Sequence, residues 1–351
     1  MGTQNPPFAM KFSELPNETK IEFIELVAES SNDHLFLQII EKDWWVTQVL
    51  RAVFSLPYAE HLSFKGGTSL SKCWHIIDRF SEDIDIAINR DFLGFGGNLS
   101  RTQISDKLRR ATCSFVREKM QFDIRQALIE LGISADVFEV NVNITPITTT
   151  DPETIVISYQ SVLAESPYVC HSVLIEVSGR SMQQPVKVES IQSFIDEYLP
   201  QTVVAEPAFT IPSVVTPERT CLEKIFLLHE EFSKTTTEIR TERMSRHLYD
   251  LYCMIQKGIV QNALQDEELY CSIIEHRRQF INLKSFDYNT LYPKTLSILP
   301  PSAVMNDWRK DYEYMQTNMI YGDSPTFDKL IAEIAELQAK IRQLPYISSS
   351  N

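Results

Sequence analysis

Residues Phe64–Ile88 read FKGGTSLSKCWHIIDRFSEDIDIAI, and the order of features in this stretch decides the fold. The pattern predicts a strand ending at the pair Gly66 and Gly67, a short helix over TSLSKCWHII, and a second strand over EDIDIAI. Two glycines let the backbone take positive φ and come close to a bound group. The free N–H groups at the start of the next helix favour an anion, and Thr68, Ser69 and Lys72 stand where they could add phosphate contacts. Side chains alternate along a strand, so Asp83 and Asp85 face one side while Ile84, Ile86 and Ile88 face the core. Ser81 shares the face of Asp83 and lines the same pocket. Magnesium prefers oxygen ligands, and two ions about 4 Å apart can activate an attacking oxygen and stabilise a leaving pyrophosphate. A glycine pair alone is an ordinary turn, and a DxD alone is a solvent-facing strand. In the order strand, glycine turn, helix, strand, they point to nucleotidyl transfer from an NTP with Mg2+ or Mn2+.

Outward from this centre, the hydrophobic period changes twice. Upstream, apolar residues recur three and four apart through IEFIELVAES and LFLQIIEKDWWVTQVLRAVF, which predicts helices between Asn17 and Leu56. Downstream, Thr102–Leu131 is helical in pattern and Gly132 stops it. DVFEVNVNI, ETIVISY, HSVLIEVSG and PVKVES are rich in β-branched residues and predict further strands, giving a mixed sheet with helices against it. AEPAFTIPSVVTPE carries three prolines and reads as a connecting segment. Thr216 and Pro217 then suit the cap and first position of a helix, and the rest of the chain is helical in spacing. The expected organisation is α+β: a helical layer over 1–56, a core over 57–200 and a helical domain over 201–351.

Composition narrows the classes of function. At 351 residues and 43% hydrophobic content, the chain can bury a substantial core. No stretch reaches the roughly 18 apolar residues of a membrane helix, and the N-terminus lacks the apolar core of a signal peptide, so no membrane partner and a cytoplasmic location are expected. The six cysteines are scattered without zinc-site spacing and read as reduced thiols. A net charge of −14 argues against broad coating of a polyanion, so any nucleic-acid contact must be local.

GGTSLSK followed by RFSEDIDI resembles the signature of AbiEii-type nucleotidyltransferases, toxins of bacterial toxin–antitoxin and phage-abortive systems. EKDWWVTQVL at Glu41–Leu50, CLEKIFLL at Cys221–Leu228 and RHLYDLY at Arg246–Tyr252 are similar to further segments of that family, so the resemblance spans roughly residues 38 to 255. Gly67 to Asp83 is a longer interval than in the generic polymerase-β-like pattern, though it suits this family. The resemblance implies a polymerase-β-like nucleotidyltransferase core, an NTP substrate, an antitoxin partner and an acceptor that is an RNA end, tRNA foremost. It also implies that Lys224 binds nucleotide phosphates and that Asp250 acts in catalysis. Lys224 stands out independently, because Leu222, Ile225, Phe226, Leu227 and Leu228 surround it: a lysine there either snorkels to solvent or meets an anion. Asp250 could pair with Arg246 on a helix surface, or sit buried and orient Lys224 or activate the acceptor.

Sites of the polymerase-β-like class often have a third carboxylate on a neighbouring strand, for which Glu176 is the candidate and Glu139 its competitor. Arg79 lies beside the aspartates in sequence. Glu41, Lys42 and Asp43 read either as a helix surface over Trp44 and Trp45 or as part of a site. Arg243, Arg246 and Asp250, spaced by three and four, would share a helix face that with Arg240 could guide an RNA backbone; pairing with internal acids is the alternative. Two rival functions remain open in the sequence. One is a nucleotide-binding regulatory or interaction protein without transfer activity, the other nucleotidylation of a protein or small molecule.

Overall fold

The structure, a computed structural model, describes residues 11–31, 35–143, 153–164, 170–202 and 204–346. The chain divides into two units, Met1–Cys73 with Ser81–Val214 and Trp74–Phe80 with Val215–Asn351. The N-terminal helices thus fall in the same unit as the sheet, and a short internal segment belongs with the C-terminal helices.

In the first unit, the helical spacing near the N-terminus gives α1 (Asn17–Ser30) and α2 (Leu37–Ser55). α2 is buried almost all round, polar residues included. Trp45 stacks on Tyr159 with ring centroids 4.7 Å apart and meets Trp44 edge-on at 5.2 Å. Glu41, Lys42 and Asp43 are buried rather than spread over a helix surface, and each has a partner. Glu41 accepts hydrogen bonds from the Ser161 hydroxyl and the Val162 N–H, Lys42 pairs with Glu82, and Asp43 pairs with Lys72 and accepts the Phe194 N–H. These charges tie α2 to the segments around it.

The strands and remaining helices of this unit follow in the order β1 (Leu62–Lys65), α3 (Gly66–Lys72), β2 (Asp83–Ile88), α4 (Arg109–Phe115), α5 (Gln121–Glu130), β3 (Phe138–Asn143), β4 (Glu153–Tyr159), β5 (Ser172–Ser178), β6 (Val186–Ile191), α6 (Phe194–Tyr198) and β7 (Phe209–Val215). They form one seven-stranded sheet ordered β3-β4-β5-β2-β1-β7-β6. β2 is antiparallel to β1 and parallel to β5, so the sheet is mixed, and the fold is α+β as the sequence pattern implied. Ile84, Ile86, Ile175, Val177 and Phe64 are fully buried on its core face. The connecting segment expected from three prolines is in part a strand. β7 pairs parallel to β1 at Phe64 and Val214, and the hydroxyls of Ser63 and Ser213 meet at 2.8 Å. β-branched Thr210, Ile211, Val214 and Val215 favour the extended form, and Pro212 precedes the paired position, where its missing N–H breaks no rung of that pair.

The second unit holds α7 (Pro217–Phe232), α8 (Arg246–Gln256), α9 (Ile259–Gln265), α10 (Glu267–His276), α11 (Met305–Asn318) and α12 (Phe327–Ile341). Pro217 opens α7 as its first residue, where no N–H is needed. The helix expected over TSLSKCWHII stops at Lys72, where the chain turns and Trp74–Phe80 joins the second unit, with Asp78–Phe80 in backbone pairing there. Arg79 bridges to Ile320, the Phe80 N–H donates to the Met319 carbonyl at 2.7 Å, and the Tyr321 N–H donates to the Asp78 carbonyl at 3.0 Å. His75 turns the chain with φ of 47°. Among the described residues no helix is long and apolar enough to cross a membrane.

The Asp43–Lys72 pair gives a first test of these buried charges. Asp43→Asn leaves the Lys72 ammonium buried without its counter-charge and is expected to cost about 3–5 kcal/mol of stability in denaturant unfolding. The double variant Asp43→Asn with Lys72→Met should regain most of that loss. Single and double variants equally stable with the wild type would contradict the pair's structural role.

Candidate active site

Strand register assembles the acidic centre within the first unit. Asp85 lies opposite Glu176 in the β2–β5 pair and opposite Lys65 in the β1–β2 pair. Directly opposed residues share a sheet face, and Asp83, two positions earlier, shares it too. The row continues through Thr154 to Asn143, so this face is polar where the other is aliphatic. Asp83, Asp85, Glu176 and Lys65 are each half-buried. Glu176, not Glu139, is therefore the carboxylate registered with Asp85, since Glu139, which pairs with Ser158, is on β3, three strands from β2.

Gly66 sits beneath this row for two reasons. Its φ of 82° is the left-handed region that disfavours side chains, and a Cβ there would lie 1.9 Å from Asp85 Oδ2. The absent side chain is the space the Asp85 carboxylate occupies. Thr68 and Ser69, expected to reach for phosphate, are fully buried and brace the turn instead. The Thr68 hydroxyl donates to the Asp83 carbonyl at 2.5 Å and lies 3.0 Å from Ser81 Oγ, and the Ser69 hydroxyl donates to the Gly66 carbonyl at 2.9 Å. Lys72 is likewise turned inward, bound to Asp43 beside the Phe194 ring. Gly67 remains half-buried at the turn.

Among the described residues, no three His, Cys, Asp or Glu side chains converge into a ready-made metal cage. Magnesium does not require one, since it is commonly held by one or two carboxylates together with substrate phosphates and water. Two aspartates on one strand face, one of them cradled over a glycine, supply the hard oxygen donors that mode of binding needs.

In the second unit, Lys224 does not snorkel. It is buried, its ammonium 2.8 Å from Asp250 Oδ2, and Asp250 is fully enclosed. Arg79 clamps the same carboxylate through Nε at 2.7 Å and Nη2 at 2.9 Å. Burial alone would raise the Asp250 carboxyl, but Arg79 and Lys224 outweigh it and hold the group below the ordinary carboxylate range. Burial lowers Lys224 and prevails over the attraction of Asp250. For Arg79 burial acts downward, and Asp250 prevails and raises it. His247 joins the cluster, pushed well below the ordinary histidine value by burial and by neighbouring Lys224. The sequence marked Lys224 and Asp250, but Arg79 seemed to belong with the aspartates four and six residues on; only its backbone pairing with Ile320 places it here.

The arginine face expected for RNA is not formed as a face. Arg243 has φ of 58° and lies outside α8, its N–H donating to Asp311 at 2.6 Å. Arg240 pairs with buried Glu231 through Nη2 at 2.7 Å.

With this geometry in place, the family follows. A family model described as the nucleotidyl transferase AbiEii toxin of type IV toxin–antitoxin systems matches residues 48–333, and the chain belongs to that family. It is accordingly a nucleotidyltransferase, and membership implies an NTP substrate and an antitoxin partner. Among solved structures it is similar to MenT4, a nucleotidyltransferase toxin from Mycobacterium tuberculosis, with 16% identity, a TM-score of 0.45, and 94% of this chain and 100% of that one covered. It is also similar to JHP933 from Helicobacter pylori, with 13% identity, a TM-score of 0.42, and 88% and 94% covered. No curated protein matches the chain.

Two substitutions test the geometry. Gly66→Ala adds the cost of left-handed φ, about 1–2 kcal/mol, to a clash with Asp85, so its melting temperature should fall. A variant as stable as the wild type would contradict the close approach. Asp250→Asn leaves Arg79 and Lys224 sharing no counter-charge and should lose about 3–5 kcal/mol at neutral pH. A carboxyl held low in the folded state contributes fully above its unfolded value of about 3.9, and that contribution is lost as pH falls through the folded value. The stability gap between wild type and Asp250→Asn should therefore narrow in acid; a gap unchanged down to the acid limit of folding would contradict the assignment.

Proposed function

We propose that the chain transfers a nucleoside monophosphate from an NTP to an RNA end, tRNA foremost, with Asp83 and Asp85 as the ligands of a divalent cation, Mg2+ or Mn2+. The observation that carries this reading is the register that sets Glu176 beside Asp85, on the face Asp83 shares. In the transfer, an acceptor hydroxyl oxygen forms a bond to the α-phosphorus, the α–β bridging P–O bond breaks, and the acceptor proton is lost as pyrophosphate leaves. When bound, the cation would offset the negative charge of the triphosphate and of the departing pyrophosphate. No nucleophilic side chain is required, because the acceptor itself attacks and the protein contributes position and charge.

Glu176 adds a third oxygen donor or takes the acceptor proton, as its place opposite Asp85 allows. Thr68 and Ser81 hold the start of β2 through the Asp83 carbonyl, so they position the aspartates rather than bind substrate. Lys224 is the phosphate-binding lysine implied by the family, and Asp250, fixed by Arg79, orients it. A net charge of −14 leaves room only for local contact with the acceptor, and the pairing of Arg240 with Glu231 shortens the list of arginines able to make it.

Incubation with each labelled NTP, Mg2+ and either total RNA or cell protein extract tests the reading. Label in RNA supports it, and label found only in protein would replace the acceptor. Asp83→Asn and Asp85→Asn should each lower transfer by about 100-fold or more with the fold retained, since lost charge stabilisation costs roughly 3 kcal/mol. Wild-type rates in either variant at saturating Mg2+ would remove these residues from the reaction.

A further inference from the structure

Lys65 ends β1 directly opposite Asp85, in the row that Glu176 completes on the other side. The three residues form a line across adjacent strands, with a cation at one end. Lys65 is half-buried, and among the described residues its ammonium makes no hydrogen bond or ion pair. Other half-buried or buried lysines near it in the first unit are engaged: Lys42 with Glu82, and Lys72 with Asp43. Opposed side chains in an antiparallel pair have Cβ atoms about 4.5–5.5 Å apart, within easy reach of a lysine stem. Yet the Asp85 carboxylate is drawn over Gly66 and does not take the Lys65 ammonium. A half-desolvated ammonium left without a partner beside a site for an anionic substrate is where an anion gains most.

Building on the proposed nucleotidyl transfer, we propose that Lys65 binds the β- and γ-phosphates of the NTP, the part that departs as pyrophosphate. The neighbouring residues leave this role open. Thr68 and Ser69 are buried in bracing bonds and Lys72 is held by Asp43, so the residues after the glycine pair do not supply the cation that the triphosphate needs in this unit. Lys65 precedes that pair and shares the face of the carboxylates. A cationic side chain at the end of the row would stabilise the leaving group together with the divalent cation that the aspartates would hold.

The test uses the full-length chain with Mg2+ and the α,β-methylene analogues of the four NTPs, which cannot undergo transfer, alongside the matching nucleoside monophosphates. Affinities are measured by calorimetry for wild type, Lys65→Met and Lys65→Arg, with thermal melting as a check on folding. Lys65→Met should weaken the triphosphate analogue by roughly tenfold or more, the value of one charge-assisted contact, and leave the monophosphate unchanged. Lys65→Arg should keep most of the triphosphate affinity. Equal weakening of monophosphate and triphosphate, or wild-type affinity for both in Lys65→Met, overturns the assignment. If the wild type binds none of the four analogues, the nucleotidyl-transfer reading falls and this one with it; wild-type binding with no effect at Lys65 overturns only the role of the lysine.

Discussion

The approach of the Asp85 carboxylate to the bare backbone of Gly66 is the constraint on which the candidate site depends. A side chain at Gly66 would occupy the place of the Asp85 oxygen, and the left-handed φ of Gly66 would strain any residue that carried one. The glycine's role thus differs from the one its pairing suggests. It is not only a flexible turn but also the floor on which the Asp85 carboxylate rests. From that point the sheet register acts outward, bringing Glu176 alongside on one strand and Lys65 on the other.

Buried charge recurs through both units, and several of the buried groups are paired. In the first, Lys42, Asp43, Lys72 and Glu82 tie α2 to the segments that flank β2. In the second, Arg79 and Lys224 converge on Asp250, whose enclosure would be untenable without them. Such pairs add less to stability than their short distances suggest, because desolvation opposes them. Their sharper effect is on geometry, since breaking one leaves an uncompensated ion in place. Lys224, buried and fixed by the Asp250 carboxylate, has little side-chain freedom left to lose.

Much of the fold was legible because local signals agreed. Helical spacing marked α1, α2 and α7, and β-branched runs marked β2 to β6. The strand alternation that set Asp83 and Asp85 on one face needed no tertiary knowledge. What escaped required partners distant in sequence. β7 hid behind prolines because its strand character depends on pairing with β1. The end of α3 was hidden because the segment after it joins the second unit, where Asp78–Phe80 pairs with residues near Ile320 and Arg79 reaches Asp250. Arg243 lost its place on a helix because α8 begins only at Arg246. Lys65 gave no signal at all, since a lysine before a glycine pair is unremarkable until register sets it opposite Asp85.

Anomalous scattering from crystals grown with Mn2+ and an α,β-methylene NTP analogue would test the metal assignment most directly. The expected result is a manganese peak bonded to carboxylate oxygens of both Asp83 and Asp85 at about 2.0–2.3 Å, with the triphosphate on the same sheet face. Bound nucleotide with the manganese away from both aspartates would contradict it.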